Sequence, residues 1–279
     1  MIGQIAHLLR YPVKGLAGQQ LSQIQLEENQ RLAGDRLYAA CRTPDATEEE
    51  AGWRPKTAFW QTYNSPALAA LDCRFSADGR QLHLPAPGTG KKPAGDRQLD
   101  MASPAGRQEL ADFLSGFLAD FLAPKNTREN VGENTGETIG ETIGEQPAIQ
   151  IMRCTEGGFT DVKQAFVSIA SLASVEQLCR AAGVAADYRR FRMNIWLEGV
   201  PAFAELGWIG RRLRLGRAEL EIAEPVGRCA ATHANPQTGQ SDCDLVRLSR
   251  ELFGHSQLGI YARVSKPGRV QPGDYAELI

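Results

Sequence analysis

The rhythm of apolar and polar positions changes along this chain. Over residues 1–100, short apolar runs at 2–9, 21–26, 37–41, 71–75 and 81–84 alternate with turn residues. Runs of that length bounded by Gly, Pro, Asn and Asp predict strands, so this stretch reads as a small β-rich unit. Ser103-Pro104 then opens a helix. Serine caps the free N–H groups of the first turn, and proline at the first helical position forfeits no hydrogen bond. Leu110, Phe113, Leu114, Phe117, Leu118, Phe121 and Leu122 follow at helical spacing until Pro124 stops the run. This stripe is expected to face the core in preference to a docking partner.

Residues 130–145 repeat a four-residue unit: Asn-Val-Gly-Glu, Asn-Thr-Gly-Glu, then Thr-Ile-Gly-Glu twice. A glycine in every copy disfavours helix, and so little apolar surface cannot drive burial. Segment 126–146 is therefore expected to be an acidic, glycine-rich linker without chemistry, and the acidic stretch 45–50 a solvated loop. It would separate a unit at 1–125 from one at 147–279. In the latter, strands are expected at 148–152, 166–169, 194–197, 211–215, 219–223, 259–264 and 275–278. Helices are expected at 172–182, with Ser171 as N-cap and Gly183 as its stop, and at 244–253, ended by Gly254. The fold class is α+β and β-rich, with a partly closed barrel in the second half.

Composition narrows the function. The chain has 279 residues and a formal net charge of −2, which gives no general attraction to nucleic acid or an anionic membrane. Anion binding must come from a local cluster of cations. Six cysteines at 41, 73, 154, 179, 229 and 243 show no CxxC spacing, which weighs against zinc-ribbon, thioredoxin-like and iron–sulfur classes. No run reaches transmembrane length and the first residues lack a basic leader, so a cytoplasmic protein with reduced thiols is expected.

Cys229 is the main candidate for chemistry. It follows Glu224-Pro-Val-Gly-Arg228, just beyond a strand, and precedes a polar loop with Asn235-Pro236. A thiol beside a cation is biased toward thiolate, the form that attacks electrophiles and binds soft metals. Other basic and polar residues fall at strand ends or turns: Lys14, Arg36, Arg190, Arg192, Asn194 and Arg228, with Ser168 and Ser171 just before a helix N-terminus. If they converge, they suit a phosphate, because arginine forks bind it bidentately and helix starts offer free N–H groups. His233 is a possible proton donor but is expected on an exposed turn. Asp242 and Asp244 are expected to be solvated or capping, and Cys243 neither a ligand nor a disulfide partner.

Nine segments in order carry a resemblance: Leu8-Leu-Arg-Tyr-Pro-Val-Lys-Gly15, Gly34-Asp-Arg36, Phe166-Val-Ser-Ile-Ala-Ser-Leu-Ala-Ser-Val175, Arg190-Phe-Arg-Met-Asn-Ile195, Phe203-Ala-Glu-Leu-Gly-Trp208, Glu224-Pro-Val-Gly-Arg-Cys229, Asn235-Pro-Gln-Thr-Gly239, Gly259-Ile-Tyr-Ala-Arg-Val264 and Gly268-Arg-Val-Gln-Pro-Gly-Asp274. With them the chain resembles the MOSC family together with its N-terminal β-barrel domain. Within it, the chain is similar to amidoxime-reducing and hydroxylaminopurine-reducing molybdoenzymes. The resemblance implies a MOSC-type β-barrel packed against an N-terminal β-barrel-like domain. It also implies the molybdenum cofactor, with Cys229 as protein ligand to the metal. Lys14, Arg36, Ser168, Arg192 and Asn194 would contact the pterin and its phosphate. The implied reaction reduces N-hydroxylated compounds. Some bacterial relatives carry a C-terminal [2Fe–2S] domain that the sequence to Ile279 does not show, so electrons are expected from a separate protein. Val226 stands where relatives often have a second cysteine, and Met193 replaces a usual proline. The alternative reading is a sulfur carrier or cofactor-binding module with a Cys229 persulfide and no reductase activity. Pyridoxal phosphate ranks low, since no lysine has a Schiff-base context.

Overall fold

The computed structural model describes residues 1–44, 50–76, 79–85, 96–122 and 146–279. The repeat at 130–145 and most of the acidic stretch at 45–50 lie outside them. In chain order the first strands are β1 (Gly3–Arg10), β2 (Gln19–Leu21), β3 (Ile24–Leu26), β4 (Tyr38–Cys41), β5 (Glu50–Ala51), β6 (Phe59–Trp60), β7 (Arg74–Phe75), β8 (Gln81–Leu84) and β9 (Arg97–Asp100). Helix α1 (Pro104–Leu122) follows, then β10 (Gln150–Cys154), β11 (Val167–Ser171), α2 (Leu172–Ala181), β12 (Ile195–Glu198), β13 (Arg212–Leu215) and β14 (Ala218–Gly227). The chain continues through α3 (Leu245–Phe253), β15 (Gln257–Lys266), β16 (Gly268–Val270) and β17 (Tyr275–Leu278).

Seven strands close a ring in the order β12, β11, β15, β14, β13, β17 and β1, with β1 pairing back onto β12 and β2 hanging on its edge. A closed ring leaves no row of unpaired backbone groups along its circumference. Period-two burial dictates which side faces inward. On β14, Ala218, Leu220 and Ile222 are buried while Glu219 and Glu221 are not. The ring is filled by Ile5, Leu8, Val167, Ile169, Leu213, Leu220, Ile260 and Val264, all essentially inaccessible to solvent. Outside it, Glu221 pairs in register with Arg212 on one side and Arg263 on the other. Opposite charges set across strands stabilise the wet face by a few tenths of a kcal/mol each, roughly.

A four-stranded sheet (β5, β10, β4, β6) and a three-stranded sheet (β7, β8, β9) share a second core with α1. Ser103 caps α1 as expected, its Oγ accepting from Gly106 N at 3.0 Å. Leu110, Leu114 and Leu118 are buried against Leu82, Leu99 and Ile151. The expected division of the chain at 125–147 is crossed in both directions. β1 and β2 belong to the ring otherwise built after residue 166, and β10 pairs with β4. That interleaving brings the loop after β1, with Tyr11 and Lys14, against the ends of β11, β12 and β14.

Candidate functional site

The site lies where the barrel meets the smaller sheets. β1 ends at Arg10, and Tyr11, Val13 and Lys14 follow along β4, with Lys14 N donating to Tyr38 O at 2.8 Å. β14 ends at Gly227, which places Arg228 and Cys229 at the lip. Cys229 starts a short 3-10 turn, Ala230–His233, closed by Thr232 N donating to Cys229 O at 3.0 Å. The polar loop beyond sits tightly on the smaller unit. Gly239 has φ of +69°, and a Cβ there would come within 2.8 Å of Ala67 Cα, so only glycine fits without displacement.

One cleft collects Lys14, Arg36, Ser168, Arg190, Arg192, Asn194, Arg228 and Cys229. Counted to its open mouth it holds about 770 Å³ of atom-free space. Of the residues singled out from the sequence, Ser171 alone lies elsewhere, and this corrects the expectation for it. Its Oγ donates to Val200 O at 2.8 Å and accepts from Ala173 N, so it caps α2. The helix N-terminus is not open to a ligand, because the buried carboxylate of Glu205 accepts from Ser171 N and from Ser174 Oγ.

The cations are not equivalent. Lys14 is 3% exposed, and its Nζ donates to Phe159 O at 3.0 Å and to Asp161 Oδ1 at 2.6 Å. Burial pulls its pKa down, and Asp161 only partly restores it. Arg36 binds Asp35 through Nη1 and donates from Nη2 to Arg192 O at 2.9 Å. Arg190 is taken up by Asp242, with Nη1 at 2.7 Å and Nη2 at 2.6 Å from its two oxygens. It also reaches His233 O, so it ties the loop after Cys229 to the turn before β12. Its position on the cleft wall is as expected, but its charge is largely committed.

Arg192 and Arg228 differ. Among the described residues neither has a carboxylate within ion-pair distance. Nη1 of Arg192 reaches Gly15 O at 3.4 Å and Nη1 of Arg228 donates to Phe191 O at 2.7 Å, while Arg192 Nη2, Arg228 Nε and Arg190 Nε are enclosed and have no hydrogen-bond partner among the described residues. Burial, with Arg36 nearby, brings Arg192 down to about 10, and burial also lowers Arg228. Five cations thus face three carboxylates (Asp35, Asp161, Asp242), a surplus of two positive charges. Enclosed donors without acceptors cost about 1–3 kcal/mol each, and the surplus positive charge of the same groups favours an anion in the cleft.

Two left-handed residues aim this array: Arg36 with φ of 52° and Arg192 with φ of 57°. Non-glycine residues enter that region at a cost that the surroundings must hold. Here Tyr11 does so. Its ring, 1% exposed, carries the Arg192 guanidinium at 4.4 Å and that of Arg36 at 4.7 Å. Its backbone N donates to Asp35 Oδ1 at 2.8 Å. Stacking on one aromatic ring offsets part of the repulsion between the two like charges. Ser168 and Asn194 lock each other, Ser168 Oγ donating to Asn194 Oδ1 at 2.8 Å and accepting from Asn194 N at 3.0 Å.

Sequence reasoning passed over Tyr11, Arg31 and Asp161. Tyr11 stood inside the quoted segment before Lys14, and aromatic neighbours of a basic residue were the available signal. Asp161 and Arg31 had none. Arg31 pins the loop before β11 by donating to Thr160 Oγ1 at 3.0 Å and to the carbonyls of Glu156 and Lys163. His233 is partly buried, with Nε2 3.0 Å from Asp244 Oδ1, and so is less exposed than expected. Asp244 caps α3 by accepting from Arg247 N. No described group of three or more His, Cys, Asp and Glu side chains could hold a metal. A metal at Cys229 would need its other ligands from a cofactor. The enclosed unpartnered guanidinium atoms beside a single thiol fit a group that is both phosphorylated and sulfur-bearing. No described helix is long and apolar enough to cross a membrane.

The sequence profile of the MOSC domain matches residues 156–277. A molybdenum cofactor sulfurase from Caenorhabditis briggsae is 32% identical over 90 residues, 32% of this chain and 12% of that protein's length. Among solved structures, YiiM from Geobacillus stearothermophilus is 18% identical with a TM-score of 0.33, covering 40% of this chain and 53% of that one. The YUAD protein from Bacillus subtilis is 11% identical with a TM-score of 0.42, covering 100% of this chain and 96% of that one. The stretch matched by the profile runs from the pinned loop through the barrel to β17 and carries Cys229, Arg192 and Arg228. Residues 156–277 therefore match the MOSC domain, and most of the cationic cleft, with its single thiol, falls within them.

Proposed function

We propose that this protein binds the molybdenum cofactor in the cleft and reduces N-hydroxylated compounds. The observation that carries the reading is the pair of enclosed, unpartnered guanidinium atoms on Arg192 and Arg228 beside Cys229. Neither guanidinium has a carboxylate partner among the described residues, so both keep positive charge for a phosphate. Lys14 and Arg36 add to the field, and Tyr11 keeps Arg36 and Arg192 in place. Cys229, as thiolate, is the protein's ligand to the metal. The mutual lock of Ser168 and Asn194 fixes the wall on which the pterin would lie. When bound, the cofactor supplies a two-electron couple able to remove oxygen from an N–O bond. The net reaction converts R–NH–OH, two electrons and two protons to R–NH2 and water. A separate electron-transfer protein delivers the electrons.

Metal analysis of protein made in a cofactor-producing host tests this reading. Near-stoichiometric molybdenum and viologen-driven reduction of an amidoxime are expected for the wild type, and loss of both for Cys229→Ala with the melting temperature kept. Wild-type turnover in that variant removes Cys229 from the chemistry. The similarity to a sulfurase favours one second reading, a Cys229 persulfide on a carrier. Cyanide-labile sulfur without molybdenum would identify it.

A further inference from the structure

Among the carboxylates that balance the cleft, one is built differently. Asp35 uses both oxygens, Oδ1 accepting from Tyr11 N and Oδ2 from Arg36. Asp242 does the same with Arg190 and Asn235. Asp161 lines the cleft itself, and only its Oδ1 is engaged, by Lys14 at 2.6 Å. No described residue hydrogen-bonds its Oδ2, and its side chain is 46% exposed. Burial pushes its pKa up, but the charge and hydrogen bond of Lys14 outweigh that and hold it ionised well below the usual carboxylate range. The position is fixed as well. Arg31 grips the loop on both sides of Asp161, and Trp53 Nε1 donates to Thr160 O at 2.8 Å.

A fixed, ionised, half-used carboxylate repels an anion and accepts from N–H. It stands in the same cleft as Arg192 and Arg228, which have no carboxylate partner among the described residues, with Arg228 within electrostatic reach of both Asp161 and Cys229. The ligand that satisfies both must be two-sided, anionic toward Arg192 and Arg228 and an N–H donor toward Asp161. We infer that Asp161 Oδ2 accepts from the amino edge of an N–C–NH2 unit. That chemistry occurs in the aminopyrimidinone of a pterin and in the C–NH2 of an amidoxime. The inference rests on the proposed function and assigns Asp161 as its recognition residue.

Asp161→Asn tests it, because asparagine can still accept from Lys14 while presenting a donor in place of Oδ2. Asp161→Ser serves as the second variant if the first does not fold. Two readouts separate the sources. Pterin and molybdenum content per chain reports on the cofactor. Viologen-driven kcat/KM for benzamidoxime against benzhydroxamic acid, which has C=O in place of C–NH2, reports on the substrate. A loss of about 10- to 100-fold on benzamidoxime alone, with full pterin content, places the edge on the substrate. Loss of pterin places it on the cofactor. Unchanged pterin content with unchanged substrate preference overturns the inference while leaving the proposed function standing. A wild type with neither pterin nor reduction overturns both.

Discussion

Ser168 and Ser171 sit three residues apart on β11, and their surroundings are opposites. Around Ser171 the polar groups are closed on themselves. Glu205, with no exposed surface, accepts from Ser171 N and Ser174 Oγ, and Ser174 Oγ accepts from Phe203 N at 2.8 Å. Around Ser168 the cleft opens onto Arg192 and Arg228, each of which keeps one enclosed nitrogen without an acceptor among the described residues. Both clusters are buried and charged. The first has spent its hydrogen bonds on holding α2 to the barrel, and the second has kept some unspent. Unsatisfied donors are expensive, so a chain that retains several together is built for a ligand.

The contrast breaks most visibly at Glu205. Glu205→Ala leaves Ser171 N and Ser174 Oγ without their acceptor and opens a void, and should cost about 3 kcal/mol of stability in a denaturant titration. Binding of inorganic phosphate should not change. Phosphate loss without destabilisation would make the Ser171 cluster functional after all.

Arg192→Met and Arg228→Met probe the other side. Each should weaken inorganic phosphate binding by about 10-fold in calorimetry, at unchanged or higher melting temperature, because an uncompensated buried charge is removed. A marked fall in stability with phosphate affinity intact would show that these arginines hold the fold instead.

The smallest effect concerns Asp242. The hydrogen bond from Arg190 holds its carboxyl down to about 2, below the ordinary 3.8. The folded state therefore prefers the ionised form. That stabilisation is present above the unfolded value and is lost as pH falls from about 4 toward 2. Asp242→Asn should flatten acid unfolding in that window, as followed by circular dichroism.

Much of the fold could be read before any coordinates. Ser103-Pro104, Ser171, Asp244 and Gly254 mark helix ends through local hydrogen bonding and backbone freedom, and they do so here. Strands β8 and β17 fall at the expected residues, because a four-residue alternation bounded by turn residues is a local signal. The run at 21–26 divides instead into parts of two separate strands, and β5 and β6 have only two residues each. Strands that short are held by their neighbours and leave no periodicity to detect.

The sequence by itself determined the residue types of the site: the Cys229 thiol among turn residues, and cations grouped at strand ends. Only the tertiary structure decided which of those cations were free. Pairing depends on carboxylates distant in the chain, Asp161 for Lys14 and Asp242 for Arg190, and on Tyr11 packing beneath Arg36 and Arg192. Charge and hydrogen bonding act over a few ångströms in space, and spacing along the chain carries no record of which distant groups will meet.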